Sequence, residues 1–175
     1  MVRIFLIGYM GAGKTTLGHA LAEAAGLSFI DLDWRIEGRF HKSVNEVFAE
    51  RGEEGFRLLE RGMLHEVADF EDVVVSVGGG TPCFFDNMDF MNSKGETVFL
   101  DAGLDVLFRR LKAAQHSRPL LRGKADDALR AFIRTGLEQR MRWYAQAKHV
   151  VCSDALETRE QIRQTVELFR RELGI

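Results

Sequence analysis

Cysteine is scarce in this chain, and long apolar runs are missing. Only Cys83 and Cys152 occur in 175 residues, too few and too far apart for a disulfide framework or a zinc site. A reducing cytoplasm is therefore the expected compartment. The apolar run before Gly8 is about five residues, short of the roughly 7 to 15 of a signal-peptide core. No stretch approaches the roughly 20 apolar residues of a membrane span, so a soluble protein with no membrane partner is expected. The formal net charge of -2 argues against nucleic acid as a partner. Repeats, low-complexity tracts and linkers are absent, so residues 1–175 read as a single domain.

What is present suits a globular enzyme-sized domain. With 46% hydrophobic and 29% charged residues, a chain of this length can bury a core without metal or disulfide support. Charge is unevenly spread: from Arg109 to Lys148 there are eleven Lys or Arg against three Asp or Glu. That region is suited to facing anions, although a solvated helix face accounts for most of those cations.

Short β-rich runs alternate with helical stretches, the pattern of a parallel sheet covered on both faces. Strands are expected at Arg3 to Ile7, Ser28 to Asp31, Val73 to Val77, Thr97 to Asp101 and His149 to Cys152. Helices are expected at Lys14 to Ala25, Val44 to Arg51, Glu53 to Ala68, Phe84 to Asn92, Leu104 to Ala113, Asp126 to Ala147 and Thr158 to Leu173. Ser43 with Glu46 three residues on forms a capping box. The fold class is thus α/β: three layers, with a five-stranded parallel sheet between helices. Two segments depart from the alternation. Residues 33–67 are a largely helical excursion and residues 115–125 a polar interruption; in a nucleotide-binding protein such segments are candidates for an acceptor-binding region and a mobile lid.

Gly8-Tyr9-Met10-Gly11-Ala12-Gly13-Lys14-Thr15 matches the phosphate-binding loop in full, between an apolar strand and a helix. Backbone N–H groups and a helix N-terminus converge there on one anion. Lys14 is placed for β and γ phosphate oxygens and the Thr15 hydroxyl for Mg²⁺. Gly11, Ala12, Gly13 and Thr16 complete the nucleotide cradle. A glycine turn made only for packing accounts for Gly8 but not for Lys14 and Thr15 together.

Phosphoryl transfer also needs metal support, an oriented hydroxyl and positive charge on the moving group. Asp31, closing the second strand, is the candidate for the metal. Asp33, two residues on, is a candidate for holding and deprotonating the acceptor hydroxyl. Capping the next helix is the competing role for this pair, as it is for Asp101 at the end of the fourth strand. Gly78-Gly79-Gly80, after the third strand, exceeds what a turn needs and allows close backbone approach by a ligand, or backbone angles open only to glycine. Taken alone, Arg57 and Arg140 read as solvated helix arginines.

In combination these residues resemble the shikimate kinase family, in the nucleoside-monophosphate-kinase-like branch of phosphate-loop proteins. The resemblance spans nearly the whole chain. It rests on Asp31-Leu32-Asp33 with Ile36-Glu37, Ser43-Val44 with Glu46-Val47-Phe48, and Gly55-Phe56-Arg57 with Glu60. Gly78-Gly79-Gly80, Arg118-Pro119-Leu120-Leu121, and Arg140 four residues before Tyr144 complete it. The resemblance implies transfer of the ATP γ-phosphate, with Mg²⁺, to the 3-hydroxyl of shikimate on the route to aromatic amino acids. It implies that Asp33 contacts the ring hydroxyls as base, that Arg57 and Arg140 grip the carboxylate, and that Gly78, Gly79 and Gly80 meet the substrate. It also implies that Arg118 swings over the phosphates and that Arg110 lies beside adenine. Only small-molecule partners, ATP and shikimate, and a monomer are expected. A gluconate or nucleoside monophosphate kinase is the nearest alternative. A nucleotide-binding regulator without catalysis is another, but it would be expected to have lost Lys14, Asp33 or Arg118.

Overall fold

A computed structural model describes residues 2–175. Among them are five parallel strands, β1 (Arg3–Ile7), β2 (Ser28–Asp31), β3 (Val73–Ser76), β4 (Glu96–Asp101) and β5 (His149–Cys152), in the order β2-β3-β1-β4-β5. β1 is central, with Phe5 opposite Val75 on one side and Thr97 on the other. Helices cover a central parallel strand on both faces, which is why Ile4 to Ile7 form an unbroken apolar run and are all buried. Seven helices flank the sheet: α1 (Lys14–Ala25), α2 (Leu32–Phe40), α3 (Val44–Val67), α4 (Asn87–Lys94), α5 (Leu104–Ala113), α6 (Asp126–Tyr144) and α7 (Arg159–Leu173). α1 packs on α7, α2 on α3, and α5 on α6.

This strand order places the site. The crossover from β1 leads toward β2 and that from β3 leads toward β4, so neighbouring strands send their connections in opposite directions. Open parallel sheets hold ligands at the carboxyl ends of such strands. The phosphate-loop sequence follows β1, and the glycine strip follows β3.

The expected strands are all present, with ends shifted by at most one residue. The excursion differs in one respect from the sequence reading, which named no helix before Val44. α2 starts directly after β2 because an Asp31 carboxylate oxygen accepts from the Asp33 and Trp34 N–H groups, at 3.1 and 3.3 Å. α2 ends where His41 turns left-handed, at φ 53°. The expected break in the next helix falls at Gly52, whose φ of 69° and ψ of 177° kink α3 between Arg51 and Glu53. Ser43 and Glu46 form the expected capping box.

Two more boundaries move. The helix expected from Phe84 begins at Asn87, because Phe85 is left-handed at φ 50°, and a short 3₁₀ turn at Thr81–Cys83 precedes it. α6 stops at Tyr144, after which the chain tightens: the Gln146 and Ala147 amides bond three residues back. Asp101 does not cap the following helix. Gly103 takes the N-cap position of α5, and its N–H donates to Asp154 at 2.7 Å. Residues 115–125 carry two 3₁₀ turns, Gln115–Ser117 and Pro119–Leu121. The Gln115 amide donates to the Leu121 and Lys124 carbonyls, at 2.8 and 2.7 Å, and ties the segment into one unit.

Candidate active site

Gly13 is the N-cap of α1 in a left-handed conformation, φ 94°, which a side chain rarely adopts. No side chain caps α1 there, leaving its first-turn amides and positive helix end for an anion. The Lys14 ammonium folds back onto the Gly8 and Tyr9 carbonyls, at 2.8 and 3.0 Å. Burial pulls its pKa down to about 8, opposed by the nearby Asp33 and Asp31 carboxylates. Of the residues expected to contact the nucleotide, Ala12 is the exception: it is buried, its amide donates to the Tyr9 carbonyl at 3.1 Å, and it does not line the cleft.

The Thr15 hydroxyl donates to the second Asp31 carboxylate oxygen at 2.9 Å. One Asp31 oxygen thus caps α2 while the other faces the loop, so capping does not preclude the metal role expected of it. A hydroxyl and a carboxylate side by side are hard oxygen donors, a set that fits Mg²⁺ completed by phosphate oxygens and water.

A cleft of about 370 Å³ is lined by the loop, Thr16, Asp31, Asp33, Gly78, Gly79, Arg110 and Arg118. Arg110 bonds the Gly11 carbonyl at 3.2 Å and the Ser153 and Asp154 carbonyls at 2.9 and 3.1 Å, joining the loop to the segment after β5. Arg118 is exposed on the cleft and carries no side-chain hydrogen bond among the described residues.

A second pocket, of about 340 Å³, adjoins the first. Its walls include Phe48, Phe56 and Leu120, and its charged groups are Asp33, Arg57, Glu60 and Arg140. Met10, Asp33, Gly78 and Gly79 line both spaces. Asp33 is the one acid common to the two. Burial, and then the neighbouring Asp31 and Glu60 charges, push its pKa up to about 6 against the pull of Lys14. A base titrating near 6 is ionised at neutral pH and still basic enough to accept a proton.

Arg57 and Arg140 are brought together here although they lie on different helices, α3 and α6. The Arg57 guanidinium donates to Glu60 at 2.8 Å and stacks 4.2 Å from the Phe84 ring centroid. Arg140 bonds the Gly136 carbonyl at 2.9 Å and lies 5.2 Å from the Tyr9 ring centroid. The glycine strip needs close approach rather than unusual backbone angles, since none of its three residues is left-handed. A Cβ on Gly80 would come within 2.7 Å of an Arg57 nitrogen. The Tyr144 hydroxyl donates to the Gly79 carbonyl at 2.6 Å and pins the strip.

A model described as shikimate kinase matches residues 10–170 of the chain. The chain belongs to the shikimate kinase family. A shikimate kinase from Phocaeicola vulgatus is 61% identical over 174 residues, 99% of each chain. The crystal structure of a shikimate kinase from Bacteroides thetaiotaomicron matches with a TM-score of 0.94 and 57% identity over 99% of both chains. The shikimate kinase from Acinetobacter baumannii, solved in complex with shikimate, matches with a TM-score of 0.85 and 28% identity over 99% of this chain and 94% of that one. Family membership makes this chain a phosphotransferase, and accounts for a phosphate loop and a small polar-floored pocket side by side.

The sequence reading named Phe48 and Leu120 within the motifs of the resemblance but gave the walls no role. Tyr9, Phe48 and Leu120 line the pocket from three separate segments, and nothing local marks them as neighbours. Glu60 stood three residues after Arg57, a spacing that pairs side chains on a helix.

Proposed function

We propose that the chain transfers the γ-phosphate of ATP to the 3-hydroxyl of shikimate, with the donor in the larger cleft and the acceptor in the adjoining pocket. The observation that carries this reading is the position of Asp33, the one acid lining both spaces, with Lys14 on the donor side and two arginines on the acceptor side. A bidentate guanidinium contact suits a carboxylate, so Arg57 and Arg140 hold the acid group of shikimate. Apolar walls cover the ring, and Gly78, Gly79 and Gly80 let it approach the backbone. Asp33 then orients the hydroxyl and accepts its proton as the oxygen attacks phosphorus.

On the donor side Gly11, Gly13 and the start of α1 cradle the β-phosphate, with Thr16 at the cleft wall and Arg110 toward the base. Thr15 and Asp31 would hold Mg²⁺, which supplies charge neutralisation of the phosphates. Lys14 and Arg118 place positive charge where the equatorial oxygens gain negative charge. The assay that tests this is ADP release with Mg-ATP. Release should depend on shikimate, and turnover with gluconate or a nucleoside monophosphate but not shikimate would overturn the assignment.

The segment 115–125 contributes to both spaces, Arg118 to the cleft and Leu120 to the pocket. Its closure would complete the transfer site and exclude water. Amide hydrogen exchange across 115–125 should slow when ADP and shikimate bind together; exchange that does not change would remove the lid role.

A further inference from the structure

The turn Thr81–Cys83, directly after the glycine strip, holds a side chain that touches neither space. Thr81 is fully buried, and its hydroxyl donates to one carboxylate oxygen of Glu60 at 2.6 Å. Glu60 is itself only 1% exposed, and its other oxygen accepts from Arg57. Among the described residues Glu60 is the one acid paired with Arg57. A buried carboxylate persists as an ion only when its oxygens are bonded, and here Thr81 and Arg57 take one oxygen each. The three groups form a short relay from the turn to the acceptor pocket.

We propose that Thr81 is a positioning residue for the acceptor: its hydroxyl fixes Glu60, and Glu60 fixes the Arg57 guanidinium in the orientation that grips the substrate carboxylate. This rests on the reading of Arg57 given above. Without the hydroxyl, one Glu60 oxygen is buried and unpaired. The carboxylate is then free to rotate, and the Arg57 nitrogen loses its fixed acceptor. Arg57 is sensitive to such a loss because its other neighbours, the Phe84 and Phe56 rings and the bare backbone of Gly80, pack against it without accepting a hydrogen bond. The turn itself does not depend on the hydroxyl. The Thr81 amide donates to the Gly78 carbonyl at 3.0 Å, and the Asn87 side chain donates to the Thr81 carbonyl at 2.9 Å.

Steady-state kinetics on four variants test the proposal. Thr81→Val, which keeps the shape and removes the hydroxyl, should raise the shikimate KM roughly tenfold, the value of one buried hydrogen bond, with a much smaller change in kcat. Thr81→Ser should keep the wild-type KM. Arg57→Ala should raise KM further, and Thr81→Val added to it should raise KM no more, since the two act through one contact. If the valine does not fold, Thr81→Ala against Thr81→Ser makes the same comparison. An unchanged KM in the hydroxyl-free variant, an equal rise in the serine variant, or a full additional rise in the Arg57→Ala background overturns the proposal. If Arg57→Ala itself leaves KM unmoved, the reading of Arg57 fails first, a result distinguishable from the failure of Thr81 alone.

Discussion

Asp33→Asn is expected to lower kcat by roughly 10²- to 10⁴-fold, the contribution of a positioned general base, while leaving shikimate binding largely intact. The same substitution should stabilise the fold. Asp33 has its folded pKa raised from 3.8 to about 6, mainly by burial. The native state therefore holds that proton more tightly than the unfolded chain, and stability falls as pH rises from about 4 through about 6. Above that window, ionised Asp33 costs on the order of 1 to 3 kcal/mol, a cost asparagine does not incur. Urea unfolding should show the variant more stable at pH 7.5, and the gain should vanish near pH 3.5, where the carboxyl is protonated in both states. A loss of turnover without that pH-dependent gain would mean Asp33 is not the strained acid described. Near-normal turnover would move the base elsewhere. An active-site acid that lowers stability for the sake of chemistry is a common bargain in enzymes.

Lys14→Ala carries the second large effect, a fall in kcat of roughly 10²- to 10³-fold, as for removal of one preorganised group facing transition-state charge. Its pH signature separates it from Asp33. Burial lowers the Lys14 pKa to about 8, so its charge is present below that value and is lost as pH rises through it. Asp33 must be ionised, so its contribution is lost as pH falls through about 6. Together they predict a bell-shaped profile of kcat/KM in the free enzyme, with limbs near those two values. Residual activity of Lys14→Ala should lack the alkaline limb and keep the acid one. An alkaline limb that persists in the variant would assign it to another group.

Parts of this arrangement are local and parts are not. The phosphate loop is local because strand, turn and helix are contiguous, so Gly8 to Thr15 could be identified by spacing alone. The Gly52 break and the Ser43–Glu46 cap were likewise legible, since one residue or one pair decides them. α2 was not. Its start depends on Asp31 serving as cap and loop partner at once, and a sequence offers those roles as competitors. Asp101 shows the reverse, an acid in a capping position that the fold leaves without that task.

The sequence by itself determined the donor chemistry, the parallel α/β layering and, through resemblance, the family, because each depends on short-range spacing or on the order of motifs. The tertiary structure alone decided that Asp33 is shared by two spaces and that Glu60 is buried between Arg57 and Thr81, and it brought Arg57 and Arg140, paired beforehand only by the resemblance, into one pocket. The reason is physical: burial and charge proximity set those properties, and both arise only when segments far apart in the chain pack against one another.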